Sequence, residues 1–282
     1  MVIVCLSACT GSSPPATSAS PSAAPSVWPP APDAAIPTSA AAVAAALERD
    51  DADLRPALQA WTSGAPESRP PEDVVLLALY QQRIYGTLAA HPGLFRQVVS
   101  ALPADLARAA RANIAADRAL GSLSGPPPAN PPKLHTSEPL PPGVLLQYYR
   151  AAQRRFGVHW QVLAAVNFIE SKFGRVTSAS SAGAQGPMQF IPSTWKAYGL
   201  GGNIRDPHDA IMGAANYLSA SGAPGDDARA LYAYNPSDAY VKAVLTYARQ
   251  MSADPLAYYA YYNWQVFVAS ASGDKRITGP GL

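Results

Sequence analysis

Glu170 closes an apolar run that starts at Trp160, and the residues after it, Ser171 to Trp195, read SKFGRVTSASSAGAQGPMQFIPSTW. The run through Trp160, Val162, Leu163, Ala164, Ala165, Val166, Phe168 and Ile169 is hydrophobic on nearly every face, which predicts a helix buried in the middle of a domain. A carboxyl group on its last turn meets two effects of the same sign. Apolar neighbours disfavour the ionised form, the negative end of the helix dipole disfavours it again, and both raise its pKa. A carboxylic acid still protonated near neutral pH can serve as general acid in cleavage of a glycosidic bond. By itself Glu170 also reads as a helix-terminal residue pointing into solvent beside Lys172, and the segment downstream of it argues against that.

That segment is a loop of small residues, Ser180-Ser181-Ala182-Gly183-Ala184-Gln185-Gly186, whose glycines let the backbone approach another surface closely. It delivers Met188, Gln189 and Phe190. A flexible thioether, an amide with donor and acceptor, and an aromatic ring suit a groove that grips an amidated sugar. Pro192 fits the first turn of a new helix carrying Trp195, and Gly199 fits its end. Further on, Asn235-Pro236-Ser237-Asp238 reads as a helix start with Asn235 as N-cap. Tyr234 just before it either reaches the cleft with its hydroxyl or is a buried core tyrosine. Tyr240, Val241, Val244, Leu245 and Ala248 come next at core spacing and read as packing.

The elements that must hold these residues are helical. Val144 to Phe156 reads as an amphipathic helix with Leu145, Tyr148, Ala152 and Phe156 inward, and Asp206-Pro207 caps another through Tyr217 and Leu218. Upstream, helical periods cover Ala40 to Arg49, Glu72 to Tyr85 with Val75, Leu76, Leu79 and Ile84 inward, and Pro103 to Leu120. Pro126 to Pro142 is a proline-dense, extended linker. After Pro255, a cluster of Tyr258, Tyr259, Tyr261, Tyr262 and Trp264 precedes a weak alternation from Gln265 to Ala269 and then Gly273-Asp274. It reads as a small hairpin closing the domain or as an aromatic tail touching glycan, with packing preferred.

Composition excludes several classes. The chain has 282 residues, 48% of them hydrophobic, enough to bury a core in more than one folded unit. A net charge of +2 without a basic run gives no electrostatic footprint for nucleic acid. His91, His135, His159 and His208 are scattered, and the two cysteines are Cys5 and Cys9, so no metal site is expected. There is no phosphate-binding loop, dinucleotide fingerprint or nucleophile elbow, and no cofactor is called for. No apolar run of about 18 residues suits a spanning helix.

Glu170-Ser171, then Ser180-x-x-Gly183-Ala184-x-Gly186-x-Met188-Gln189, Pro192-x-Thr194 and Ala233-Tyr234-Asn235 together resemble the SLT-type lytic transglycosylases of the lysozyme-like superfamily. The resemblance covers about Val144 to Met251. It implies a mainly α, lysozyme-like catalytic domain at 143–255, preceded by a smaller helical region at 39–122 and a linker at 123–142, and followed by the tail at 256–282. It further implies Glu170 as the single catalytic acid, with Ser180, Met188, Gln189, Phe190, Tyr234 and Asn235 binding substrate. Pro187, and Pro236-Ser237 after Asn235, depart from the commonest family pattern and accord with the branch that has Gln-Phe-x-Pro-Ser.

The implied substrate is the glycan strand of peptidoglycan, cleaved at N-acetylmuramic acid without water to leave a 1,6-anhydro end. Most glycosidases need two carboxylates, and Glu170 is the one clear candidate here. Two alternatives stand beside this: a hydrolytic muramidase with Asp206, Asp209 or Asp226 as second acid, and a non-catalytic wall-binding lipoprotein. Leu6-Ser7-Ala8-Cys9 resembles a bacterial lipobox, with Cys9 the lipidated residue in a leader spanning 1–9. Only eight residues without Lys or Arg precede Cys9, so a start codon further upstream is expected. Residues 10–38 then form a Ser/Ala/Pro-rich tether holding the protein outside the cytoplasm on the membrane, facing the wall, the alternative being a soluble or conventionally secreted protein in which Cys9 is incidental. Recruitment by wall-synthesis or division proteins is compatible with this. Arg108, Arg111 and Arg118 read as a solvated helix face in preference to a strip for anionic wall polymers.

Overall fold

The structure is a computed structural model that describes residues 27–64, 68–129, 133–271 and 273–282. Cys9 and the leader around it lie outside the described residues. Among those described, eleven helices and one short hairpin make the regular structure, so the chain is mainly α as expected. None of these helices is long and apolar enough to cross a membrane.

Four helices come first: α1 (Ala40–Gly64), α2 (Glu72–Ala90), α3 (Pro92–Ala101) and α4 (Ala104–Gly121). α3 is not legible as a separate helix from periodicity, although Pro92 opens it at a position where the missing N–H costs nothing. In α2 the fully buried residues include Val74, Leu77, Ala78, Leu79 and Ile84, while Val75 and Leu76 are half-buried. That helix is apolar nearly all round and packs on both α1 and α4, so periodicity alone cannot single out one inward face. Arg118 leaves the expected solvated face. Its guanidinium donates to the last carbonyls of α2, Leu88 O at 3.1 Å and Ala89 O at 3.0 Å, where a cation complements the negative helix end.

The second stretch builds α5 (Pro142–Phe156), α6 (Trp160–Ser171), α7 (Pro192–Tyr198), α8 (Pro207–Ala220), α9 (Asp227–Tyr234), α10 (Asp238–Ala253) and α11 (Leu256–Tyr262). α6 is the central element, buried from Val162 through Ser171 and packed among α5, α8, α10 and α11. In α5 the inward ring is Tyr149, fully buried, whereas Tyr148 and Phe156 are only half-buried. α4 lies along α10, and one hydrophobic core runs from Val43 in α1 to Trp264. The proline-rich connection is extended at Thr136, which bridges Val176, and Ser137 N donates to Arg175 O at 2.9 Å.

The aromatic tail packs. Tyr258, Tyr261, Tyr262 and Trp264 are buried, with Tyr261 stacked on Phe168 of α6 at 5.3 Å between ring centroids. The chain then closes in an antiparallel hairpin of β1 (Phe267–Val268) and β2 (Lys275–Arg276), Phe267 opposite Arg276. One capping expectation is corrected: α10 starts at Asp238 with Ser237 as N-cap, its hydroxyl accepting from Tyr240 N, and Asn235 instead closes α9. Pro236 holds Asn235 extended (φ −145°, ψ 110°), Ser237 is extended as well, and the helix begins only after both.

Candidate active site

Glu170 sits on the last turn of α6 and is 5% exposed, so the solvent-facing alternative does not hold. Lys172 caps the helix in a left-handed conformation (φ 51°) and is itself buried, its ammonium 3.8 Å from the centre of the Phe168 ring. The abrupt left-handed turn at Lys172 and Phe173 ends the helix directly behind Glu170. Ser171 ties that turn to the loop: its hydroxyl donates to Pro187 O at 2.6 Å and accepts from Gly174 N at 2.8 Å.

The Glu170 carboxyl accepts a hydrogen bond from Tyr240 Oη at 2.7 Å. Burial pushes its pKa up to about 7, against the opposing pull of the Tyr240 hydroxyl, which favours the anion. The Tyr240 and Tyr234 hydroxyls are in turn pushed well above the ordinary phenol range, by burial first and by the Glu170 charge second. The acid is thus half-protonated near neutral pH and can give a proton and take one back.

The loop after α6 reaches this acid through a small set of contacts. Met188 is fully buried, its sulfur accepting from Asn167 Nδ2 at 3.2 Å one turn before Glu170. Its carbonyl accepts from Tyr234 Oη at 2.6 Å, which joins the end of α9 to the loop. Gln189, left-handed at φ 48°, donates through Nε2 to Gly186 O at 2.9 Å and so braces the loop from within. Phe190 is 2% exposed and packs edge-on against Trp195 and Tyr234 at 5.2 and 5.6 Å. Gly186 has φ +74°, and a Cβ there would lie 1.8 Å from Ile204 O, so only glycine fits.

The expected site residues therefore divide. Met188 bonds both Asn167 on the Glu170 helix and Tyr234, and the Tyr234 hydroxyl feels the Glu170 charge. Ser180 closes its own loop, its hydroxyl accepting from Ala184 N at 2.9 Å, and Gln189 and Phe190 support the loop more than they face solvent. Asn235 is 6% exposed at the α9–α10 junction. Tyr240, which its spacing assigns to packing, is fully buried as expected, and its hydroxyl contact with Glu170 is what the pattern misses. A phenol on a buried stripe must find a polar partner, and that rule is the signal available.

Three further acids are candidates for a second carboxylate. Asp206 caps α8 by accepting from Asp209 N at 3.0 Å, and Asp226 caps α9 by accepting from Arg229 N at 2.9 Å. Asp209 accepts from Asn203 N, which holds its pKa below the usual carboxylate value. None of them perturbs Glu170. Asp206, His208 and Asp209 lie close enough to share a cation among the described residues, but at the surface and with both carboxylates already accepting backbone N–H groups.

The fold is mainly α and consistent with a lysozyme-like one, with a single glutamate buried at the end of its central helix. Residues 147–256 match the family model of the transglycosylase SLT domain, and that segment is an SLT-type lytic transglycosylase domain. The membrane-bound lytic murein transglycosylase F of Pseudomonas fluorescens (strain Pf0-1) is 33% identical over 73 residues. That match covers 26% of this chain and 15% of the relative, so the chain spans a small part of the relative's length. No solved structure matches the chain.

Proposed function

We propose that the protein is a peptidoglycan lytic transglycosylase that cleaves the β-1,4 bond between N-acetylmuramic acid and N-acetylglucosamine with Glu170 as acid and then base. Neutral Glu170 protonates the oxygen leaving C1 of the muramic residue, assisted by that sugar's 2-acetamido group. The resulting carboxylate, steadied by Tyr240, takes the proton of the same sugar's C6 hydroxyl as the oxygen attacks C1. C1–O4 breaks, C1–O6 forms, and the proton returns to Glu170, so the enzyme ends as it began. An internal nucleophile replaces water at an effective molarity on the order of 10⁵ M or more.

The observation that carries this reading is the isolation of Glu170: a buried carboxyl with pKa about 7, a phenol as its hydrogen-bond donor and, among the described residues, no neighbouring carboxylate acting on it. A hydrolytic muramidase would need a second acid, and Asp206 and Asp226 serve as helix caps. Digestion of purified sacculi followed by mass spectrometry tests the reaction. Products ending in 1,6-anhydromuramic acid, absent with Glu170→Gln, are expected; reducing muramic ends alone would overturn the lyase. Undiminished cellular function with Glu170→Gln would favour a non-catalytic wall lipoprotein.

Anchoring through Cys9 belongs to the same proposal and rests on the Leu6-Ser7-Ala8-Cys9 pattern. Cys9→Ala should then release the protein from the membrane fraction, and its retention there would remove the anchor from the account.

A further inference from the structure

We propose that the cavity enclosed by α1, α2, α4 and the α10–α11 corner is a binding site for a short zwitterionic peptide. Its volume is about 630 Å³ and none of the residues lining it belongs to the Glu170 site. Cavities of this size hold small ligands in other proteins.

The inner wall is built of amides. Gln81 is 8% exposed and faces the cavity, and its side chain makes no hydrogen bond among the described residues. Its amide nitrogen and oxygen are not sealed off from solvent, so they stand open to the cavity as a donor and an acceptor for a ligand. Beside it runs a short chain: Gln250 Nε2 donates to Tyr261 Oη at 2.7 Å, and Tyr261 Oη donates to Asn113 Oδ1 at 2.9 Å. All three line the cavity, and the chain leaves Gln250 Oε1 as an acceptor. Gln81 and Gln250 together offer donors and acceptors of the kind a peptide backbone takes.

The remaining polar lining carries both signs. Arg55 pairs with Asp254 across the seam between α1 and the end of α10, Arg108 pairs with Asp105, and Asp51 stands one turn before Arg55. A ligand of one sign would meet like charges as often as opposite ones, whereas a zwitterion can place a carboxylate by the guanidinium groups and an amine by the carboxylates. A sugar is the poorer fit. Saccharides want an open aromatic face, and the two tyrosines here, Tyr85 and Tyr261, are each 3% exposed.

The choice of probe, though not the site, rests on the peptidoglycan reading. The full chain is titrated calorimetrically with the tripeptide L-alanyl-γ-D-glutamyl-meso-diaminopimelate, which has free amino and carboxyl groups. Saturation at one site per chain, with Kd below about 1 mM, is expected. Gln81→Leu keeps similar volume and removes the unmatched amide, so its melting temperature should hold while affinity falls about tenfold. A fully acetylated and esterified tripeptide should bind at least about tenfold more weakly. The proposal is overturned by absence of saturation, by undiminished binding to Gln81→Leu or of the blocked peptide, or by displacement of the tripeptide with chitotetraose.

Photo-crosslinking of a diazirine-bearing tripeptide gives a readout independent of any variant's folding. Adducts on α1, α2 or α10 are expected; adducts confined to the loop from Ser180 to Phe190 would overturn the site. Glu170→Gln should abolish glycan cleavage without altering peptide affinity, so the two proposals fail separately.

Discussion

Glu170 and Asp117 are both buried acids, 5% exposed each, and burial drives their pKa values to about 7 and about 8. Their surroundings differ. Glu170 accepts from Tyr240 and stands where α6 meets the Met188 loop. Asp117, on α4, receives no hydrogen bond among the described residues; the Lys172 and Arg118 charges pull its pKa down while Asp274 pushes it up. A raised pKa thus marks burial, not chemistry. What sets Glu170 apart from Asp117, and carries its proposed role as the reacting acid, is a phenol that favours its anion and the Met188 loop packed on the end of its helix.

The sharpest way to break that comparison is to neutralise each acid in turn. Glu170→Gln should lower cleavage of sacculi by about 10³-fold or more with unchanged circular dichroism, while Asp117→Asn leaves kcat/KM close to wild type. The reverse pattern would transfer the chemistry to α4. The loop's contribution is tested next by Gly186→Ala, whose Cβ cannot coexist with Ile204 O. A fall in melting temperature of about 5–10 °C and loss of most activity are expected, and a variant that melts like wild type would mean the loop yields easily.

Both acids also leave a mark on stability. Each folded-state pKa is raised, so the folded protein keeps a proton that the unfolded chain has released, and stability declines as pH rises through the window between the two values. For Asp117 that window runs from 3.8 to about 8, and for Glu170 from 4.5 to about 7. Thermal melts should show Asp117→Asn gaining on wild type from about pH 4 to about pH 8, with Glu170→Gln gaining less; equal gains, or none, would erase the difference in burial. The smallest effect is expected for Tyr240→Phe. Its hydroxyl favours the Glu170 anion, so its loss should raise the Glu170 pKa further, move the alkaline limb of the activity profile to higher pH and cost about tenfold in rate. An unmoved limb would reduce Tyr240 to packing.

The sequence carries the parts whose cause is local. α6 is visible because apolarity on every face needs no partner to be read, and Asp206, Pro192 and Gly199 mark helix ends through capping chemistry confined to neighbouring residues. The Asn235 start fails even so, since Ser237 two residues on offers a second cap and the tertiary fold uses that one. In α5, Leu145 and Ala152 point inward as expected, but Tyr149 is buried in place of Tyr148, because adjacent tyrosines give periodicity no means of choosing, and Phe156 at the helix end is only half-buried.

By itself, then, the chain determined a buried helix ended by one carboxyl, a glycine loop behind it and a family pattern joining the two. Only the tertiary structure decided that the carboxyl's partner is Tyr240, 70 residues further on. It also decided that Met188 turns inward, and that α4 lies along α10 with a polar cavity left beside the seam. The reason is physical: capping and amphipathicity act within a turn or two of the chain, whereas a hydrogen bond between α6 and α10 depends on how two helices cross, which is set by everything packed around them.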